Sequence, residues 1–461
     1  MRDTLDTLAP PPAASALTFG APGASASGAD RDGTLTERRR TWLWPILAEA
    51  FLLYTFIGFN PFPTFSPQAR LGGDSLDRIA VLAMAALALV AIARNARAAA
   101  ECLRSNVLLT LVLVWLQLSI VWSDHPDLTI RRASFVLLIG VIALGIAAGA
   151  SSLRAFHTLT FATLSAIIAF NLVGVVLWPQ SAISDIGVMG IYGQKNVAGM
   201  VAMLTLVISV TWICGASSWR GAALGILPTL LTLDFLWMTQ SKTSIAIAVL
   251  ALLLGGLVWL SLIIGRRMVL LMFAGVLLGL CVLIGLFVVN DFDVDAVLGL
   301  FVTDTSFTGR SELWDFAWAR ASERMWLGHG YGAFWDVGLI NDPLAKLEPG
   351  TWLGDVQKGV INQAHNGYLE LWLNAGLPAT LTAVAGVCVA MLSATGLAIG
   401  AHPDHRTRAT YGLAALVLFM YLIHNFTEAT LFQRGSQFFN MVLLVSFLTS
   451  RRDFWPIRAT G

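Results

Sequence analysis

The residues of this chain able to do chemistry are one histidine, one arginine and a scatter of further cations set among oily segments. His365 lies in Gln363-Ala-His365-Asn366-Gly367-Tyr368-Leu-Glu370-Leu-Trp372-Leu-Asn374-Ala-Gly376. With Asn362 capping a helix here, His365 falls in the first turn. The positive end of the helix disfavours an imidazolium, so a neutral ring can take a proton from a hydroxyl as a general base. A lone histidine is as readily structural, and this one gains weight only from the cations expected near it. Arg310 opens Thr308-Gly-Arg310-Ser-Glu312-Leu-Trp314-Asp-Phe-Ala-Trp318. It too stands at a helix start, and its planar fork suits two-point contact with phosphate. Trp314 and Trp318 are one turn apart, giving an amphipathic helix that can equally lie along a membrane surface.

Four more cations join the candidate set. Lys195 in Gly190-Ile-Tyr192-Gly193-Gln-Lys195-Asn196 opens a helix, where a cation costs ~0.3–1 kcal/mol unless an anion is bound; otherwise it marks the interface. Lys242 in Thr239-Gln240-Ser241-Lys242-Thr243-Ser244 sits among hydroxyls that can donate to phosphate or simply cap a new helix. Arg131 and Arg132 end the turn Ser123-Asp-His-Pro-Asp-Leu-Thr-Ile-Arg131-Arg132, in which Asp124, His125 and Asp127 read as turn and cap chemistry around Pro126. Each basic side chain alone is explained by snorkelling to lipid head groups. Together they form a basin for a phosphate-bearing substrate, with Asn366, Tyr368, Glu370 and Trp314 as sugar- or diphosphate-contacting neighbours. His329, in Gly328-His329-Gly-Tyr331-Gly, is a second functional candidate, though the glycines point first to backbone geometry. His424 reads as a bond to a neighbouring helix. Asp291, Asp293 and Asp295 lack the glycine and glutamate of a calcium loop and read as a solvated helix exit, so no metal site is expected, with a divalent site here as the metal-dependent alternative.

Composition sets what must position these residues. The chain has 461 residues, 56% hydrophobic and only 12% charged, against roughly 25% charged in soluble domains; it is an integral membrane protein. A net charge of +1 gives no basis for a nucleic-acid partner, and none is expected. Cys102, Cys214, Cys281 and Cys388 fall on separate apolar segments without disulfide or zinc spacing. Residues 1–40 read as a disordered cytoplasmic tail ending in Arg38-Arg39-Arg40, without the apolar core of a signal peptide. Beyond it, apolar runs of near the ~20 residues that span a bilayer recur, at about 42–59, 78–93, 106–122, 133–150, 155–178, 196–214, 221–238, 243–264, 268–290, 376–399, 409–426 and 436–450. The expected fold is an all-α polytopic membrane protein of about twelve helices, nine within 41–290 and three within 376–452, with 291–375 as a large, partly helical loop. With the N-terminus inside, arginines such as Arg94, Arg154, Arg266, Arg406 and Arg451 fall on the inner side, as the positive-inside bias requires. The loop is then periplasmic, and both the N-terminus and the tail 453–461 are cytoplasmic.

The motifs Tyr-Gly-Gln-Lys195-Asn, Gln-Ser-Lys242-Thr, Thr-Gly-Arg310-Ser-Glu-Leu-Trp, Gly-His-Gly-Tyr-Gly-Ala-Phe and His365-Asn-Gly-Tyr-Leu-Glu, in this order from about Trp122 to Gly376, resemble the O-antigen ligase/polymerase superfamily. That group comprises Wzy-type or ExoQ-like exopolysaccharide polymerases and O-antigen ligases. The resemblance implies a metal-independent, inverting GT-C-type glycosyltransferase without cofactors, in the bacterial inner membrane. Its implied donor is an oligosaccharide on undecaprenyl diphosphate. The implied acceptor is a lipid-linked repeat unit or lipid A-core, with membrane lipids and a chain-length regulator as further partners. His365 corresponds to the family's catalytic histidine, Arg310 to an essential arginine and Lys242 to a position often arginine in ligases. The motifs lean towards a polymerase of lipid-linked repeats. A ligase is the alternative, and a transporter or flippase of the same lipid is the reading from another class.

Overall fold

In the computed structural model, described for residues 43–63, 74–264, 271, 275, 310–356, 360–400 and 405–454, nearly all regular structure is helical. The long helices are α1 (Leu43–Phe56), α2 (Ser75–Arg94), α3 (Ala96–Ser105), α4 (Val107–Leu118), α5 (Pro126–Gly149), α6 (Leu153–Leu177), α7 (Lys195–Cys214), α8 (Trp219–Met238), α9 (Lys242–Ile264), α10 (Arg310–Glu323), α11 (Gly367–Ala375), α12 (Leu377–Ile399), α13 (His405–His424) and α14 (Gln437–Thr449). A two-residue hairpin, Ile183–Ser184 with Gly187–Val188, is the one sheet among the described residues.

Eight of these helices are long and apolar enough to cross a membrane. A ninth is possible if the broken pair Ala96–Ser105 and Val107–Trp122, bent by 89°, is a single span. Helices α1 and α14 are apolar but shorter. The protein is thus an all-α polytopic membrane protein. The expected spans overlap these helices, but α5 begins at Pro126 instead of 133, so that Arg131 and Arg132 lie in its first turns and not in a turn before it; 268–290 lies outside the described residues, as do Cys281 and Asp291, Asp293 and Asp295.

The helices differ in what surrounds them. In α7, 72% of the spanning window is buried, and in α5 67%; in α8 and α9 only 22% is. Leu224, Leu227 and Leu230 on α8, and Val249, Leu253 and Leu257 on α9, stand exposed as hydrocarbon-facing side chains. Lipid tails are as apolar as leucine, so close approach of backbones, not hydrophobic exclusion, holds such helices together. Gly145 on α5 shows it: a Cβ there would lie 2.6 Å from the Cβ of Ala88 on α2. At one end of the bundle Arg451 donates to the carbonyls of Ala147, Ala148 and Ala150, closing the C-terminal end of α5.

The described part of the large loop folds on its own apolar cluster. Leu313, Ala317 and Ala321 of α10 pack with Phe334, Trp335, Leu353, Trp372 and Leu373. The segment between is pinned to the helices. His329 Nδ1 meets Asp124 Oδ2 at 2.8 Å, Arg324 meets Asp124 Oδ1 at 2.8 Å, and Trp122 Nε1 donates to the Leu327 carbonyl at 2.9 Å. Gly328, Gly330 and Gly332 have φ of 67°, 98° and 66°. These left-handed values let the chain pass against Ala375, Ser123 and Arg132.

Because the α2–α5 contact is backbone-close, Gly145→Val forces the two helices apart. It is expected to destabilise the bundle by about 1–3 kcal/mol, seen as a lowered melting midpoint of the detergent-solubilised protein.

Candidate functional site

Glu428, a residue not among the sequence candidates, is where the site converges. It lies in the stretch after α13, placed by its own N–H on the His424 carbonyl (3.0 Å). Asn425, one turn from Tyr421, holds that stretch by accepting from Thr430 N (2.9 Å). The Glu428 side chain is 9% exposed. Its Oε2 faces His365 Nδ1 at 3.2 Å; its Oε1 receives Arg310 Nη2 at 3.2 Å and Asn196 Nδ2 at 2.7 Å. Arg310 also donates from Nη1 to the Thr427 carbonyl at 2.8 Å. Burial alone would raise the Glu428 pKa. The hydrogen bond and charge of His365, then Arg310, outweigh it and hold the carboxyl below its ordinary value.

His365 does not sit in the first helical turn. The cap of α11 is Asn366, whose side chain accepts from Tyr368 N (3.0 Å) and Leu369 N (3.1 Å). Asn362 lies four residues earlier, and His365 precedes the helix with φ of 49°. This left-handed backbone is uncommon for a residue with a side chain. It is fixed on both flanks, by the Asn366 cap and by Gly367 N on the Asn425 carbonyl (2.8 Å), where a Cβ on residue 367 would collide with the Asn425 amide. The turn directs Nδ1 onto Glu428. The carboxylate accepts, so Nδ1 carries the proton and Nε2 is the basic nitrogen. His365 keeps 31% side-chain exposure, and among the described residues its Nε2 has no partner. A carboxylate behind one ring nitrogen stabilises the imidazolium formed when the other takes a proton, a more direct influence than the helix dipole expected from sequence.

The other sequence candidates fall into groups. Asn196 follows Lys195, and its Oδ1 accepts from Ser241 Oγ at 3.2 Å, which joins the Lys195 and Lys242 turns to the Glu428 cluster. Gly199 permits this, since a Cβ there would lie 2.6 Å from Ser241 Cβ. Lys242 is exposed, and Lys195 donates to the Ile186 carbonyl at 3.0 Å. Arg131 is exposed and bonds back to the Asp127 carbonyl at 3.2 Å. Arg132 is 5% exposed; its guanidinium donates to the carbonyls of Gly332, Trp335 (3.0 Å) and Asp336 (2.8 Å). It clasps the loop to the start of α5. Trp314 donates to the Ala364 carbonyl at 3.0 Å, and Tyr368 to the Leu422 carbonyl at 2.6 Å. His329 has both ring nitrogens engaged, with Asp124 and the Arg320 carbonyl. His424 bonds Thr430 in the following loop at 3.4 Å, and its ring packs edge-on against Phe438 of α14, 5.3 Å between centroids.

Glu370 is 3% exposed beneath this surface. It accepts from Ala364 N at 2.8 Å, Trp335 Nε1 at 3.0 Å and Asn374 Nδ2 at 2.9 Å. Burial nonetheless outweighs these donors and pushes its carboxyl up to about 7.

Two cavities open on this end. The larger, about 440 Å³, is bounded by Glu428, Asn196, Asn362, Gln363 and Arg434 among others. A small one of about 40 Å³ lies between Arg132, Glu370 and Arg434. Glu428 and Arg434 were missed from sequence although a signal existed. Both lie in 427–435, between two expected spans on the loop's side. In the orientation expected from sequence, Arg434 would break the positive-inside bias just as Arg131 and Lys195 would.

The raised Glu370 carboxyl predicts a pH dependence. The fold favours its protonated form, so no penalty exists below its ordinary value of 4.5, and stability is lost as pH rises from there through about 7. Thermal midpoints between pH 5 and 8 should carry this component in the wild type. Glu370→Gln should abolish it while lowering the midpoint at every pH, because an amide N–H₂ then faces backbone and indole donors, at about 1–3 kcal/mol.

Residues 227–384 match the family described as O-antigen ligase. The chain is also 25% identical over 305 residues to the "Exopolysaccharide production protein ExoQ" of Rhizobium meliloti (strain 1021), covering 65% of this chain and 68% of that protein. The matched family segment takes in Lys242, Arg310 and His365, two of which Glu428 holds together. Both comparisons point the same way: a central segment of the chain is similar to the O-antigen ligase family, and the longer stretch is similar to an ExoQ-type exopolysaccharide production protein.

Proposed function

We propose that the protein is a glycosyltransferase acting at the periplasmic face of the bacterial inner membrane, joining oligosaccharide repeats carried on undecaprenyl diphosphate into exopolysaccharide or O-antigen. The observation that carries this reading is the single carboxylate of Glu428 shared by His365 and Arg310. It presents a proton acceptor and a cation side by side, as transfer from a diphosphate requires. The relative, named for exopolysaccharide production, favours a polymerase over a ligase.

In this mechanism His365 Nε2 takes the proton of the acceptor hydroxyl as its oxygen forms the new bond to the anomeric carbon. The bond from that carbon to the diphosphate oxygen breaks, and its electron pair leaves with the diphosphate. Attack from the face opposite the leaving group inverts the configuration. Glu428 orients the imidazole and stabilises its charged form. Arg310, with Lys242 and Lys195 on the adjoining turns, offsets the charge that develops on the leaving group, while Arg132, committed to three carbonyls, holds the loop in place. Asn366, Tyr368 and Trp314 shape the surface around His365, and the buried Glu370 supports it from beneath. No step calls for a metal ion. With the N-terminus cytoplasmic, the basic inner loops and this site lie on opposite sides of the membrane.

Reconstitution with purified lipid-linked repeats tests the reading directly. His365→Ala should lower turnover by ~10²–10⁴-fold, and Glu428→Gln by about ten- to a hundred-fold, with both proteins folded. Activity should survive EDTA. Products longer than one added repeat identify a polymerase, whereas transfer of a finished chain only to lipid A-core identifies a ligase. Lipid-linked substrate crossing the membrane without new glycosidic bonds refutes both.

A further inference from the structure

The 440 Å³ cavity beside Glu428 is within the roughly 300–1,000 Å³ of small-ligand sites. Its lining is rich in side-chain amides: Asn60, Gln194, Asn362, Gln363, Gln433 and Gln437. Each amide both donates and accepts, which matches a ligand dense in hydroxyls. Carboxylates are also present but occupied. Glu428 holds His365, Arg310 and Asn196, and Asp336 interacts electrostatically with Arg132.

Cations at this end of the molecule differ in what remains for a ligand. Arg132 is turned onto three backbone carbonyls. Arg310 divides its two terminal nitrogens between Thr427 and Glu428. Arg434 is exposed, lines both cavities, and among the described residues its guanidinium makes no hydrogen bond or ion pair. It also lies near enough to Arg132 for the two like charges to repel. Both line the 40 Å³ cavity, so an oxyanion bound at Arg434 would relieve that repulsion.

We propose that Arg434 and the amide-lined cavity form a seat for an oxyanion carried by the substrate glycan, with Arg434 as its specificity-determining residue. The oxyanion is a carboxylate on an acidic sugar or a phosphate of the carrier; a guanidinium binds either through paired N–H donors. The assignment of glycan as ligand rests on the function proposed above.

The test is equilibrium binding to the full-length protein in lipid nanodiscs. Three ligands are compared: undecaprenyl diphosphate without sugar, and two lipid-diphosphate-linked oligosaccharides that differ only in carrying a neutral hexose or a uronic acid. Arg434→Gln should weaken binding by about ten- to a hundred-fold, and Arg434→Lys should recover part of the loss. A loss shared by the sugar-free carrier identifies the phosphate; a loss confined to the uronic acid ligand identifies the sugar carboxylate. Equal affinities of wild type and Arg434→Gln for all three ligands overturn the inference, as does a wild type that binds none. Arg434-dependent binding without any new glycosidic bond leaves the seat standing and removes the glycosyltransferase reading. Glycan transfer by a protein indifferent to Arg434→Gln does the reverse.

Discussion

A carboxylate enclosed to nine-tenths cannot remain charged unless its surroundings return what water would have supplied. Glu428 is in that position, and the arrangement of the whole loop-side end follows from meeting its demand. Its partners come from three distant parts of the chain: Asn196 from the start of α7, Arg310 from the start of α10, His365 from the turn before α11. Because none of the four side chains is placed correctly without the others, the cluster is a tertiary object and not a local motif. It also couples the site to the bundle, since Asn196 is tied in turn to Ser241 at the start of α9.

The second requirement is that the aqueous part be rigid. A lipid bilayer gives a loop no apolar core to fold against, so this loop carries one of its own, built from Leu313, Ala317, Phe334, Trp335 and Trp372. Arg132, Glu370 and His329 then fasten it. Arg132 closes three carbonyls, Glu370 accepts from Ala364, Trp335 and Asn374, and His329 bridges to Asp124. The left-handed turn at His365, which costs on the order of 1–3 kcal/mol, persists because both of its flanks are bonded to rigid neighbours. Strain held in this way fixes the direction of the imidazole.

The same geometry sorts the cations by role. Charges that look alike in the sequence divide into a buried clasp (Arg132), a cation paired with Glu428 (Arg310), two lysines at helix starts, half-buried (Lys195) and exposed (Lys242), and a guanidinium over a cavity without a hydrogen bond among the described residues (Arg434).

The helices and their medium are legible in the run of apolar residues along the chain. Continuous apolar runs of bilayer length have one way to satisfy their backbone in lipid, so α2, α6 to α9, α12 and α13 were legible within a few residues of their ends, while α5 starts seven residues before its apolar run, in the polar stretch from Pro126 that reads as a turn. The sequence also singled out His365 and Arg310, because polar motifs stand out against an oily background. Which polar groups meet is set by the packing of segments far apart in the chain. Asn366, and not Asn362, caps α11, since the cap is chosen by where Gly367 can approach Asn425. Glu428 became the partner of both His365 and Arg310 although 63 and 118 residues separate them from it. Periodicity and capping rules act over one or two helical turns. The pairing of a buried charge is settled by whatever the folded chain brings within a few ångströms.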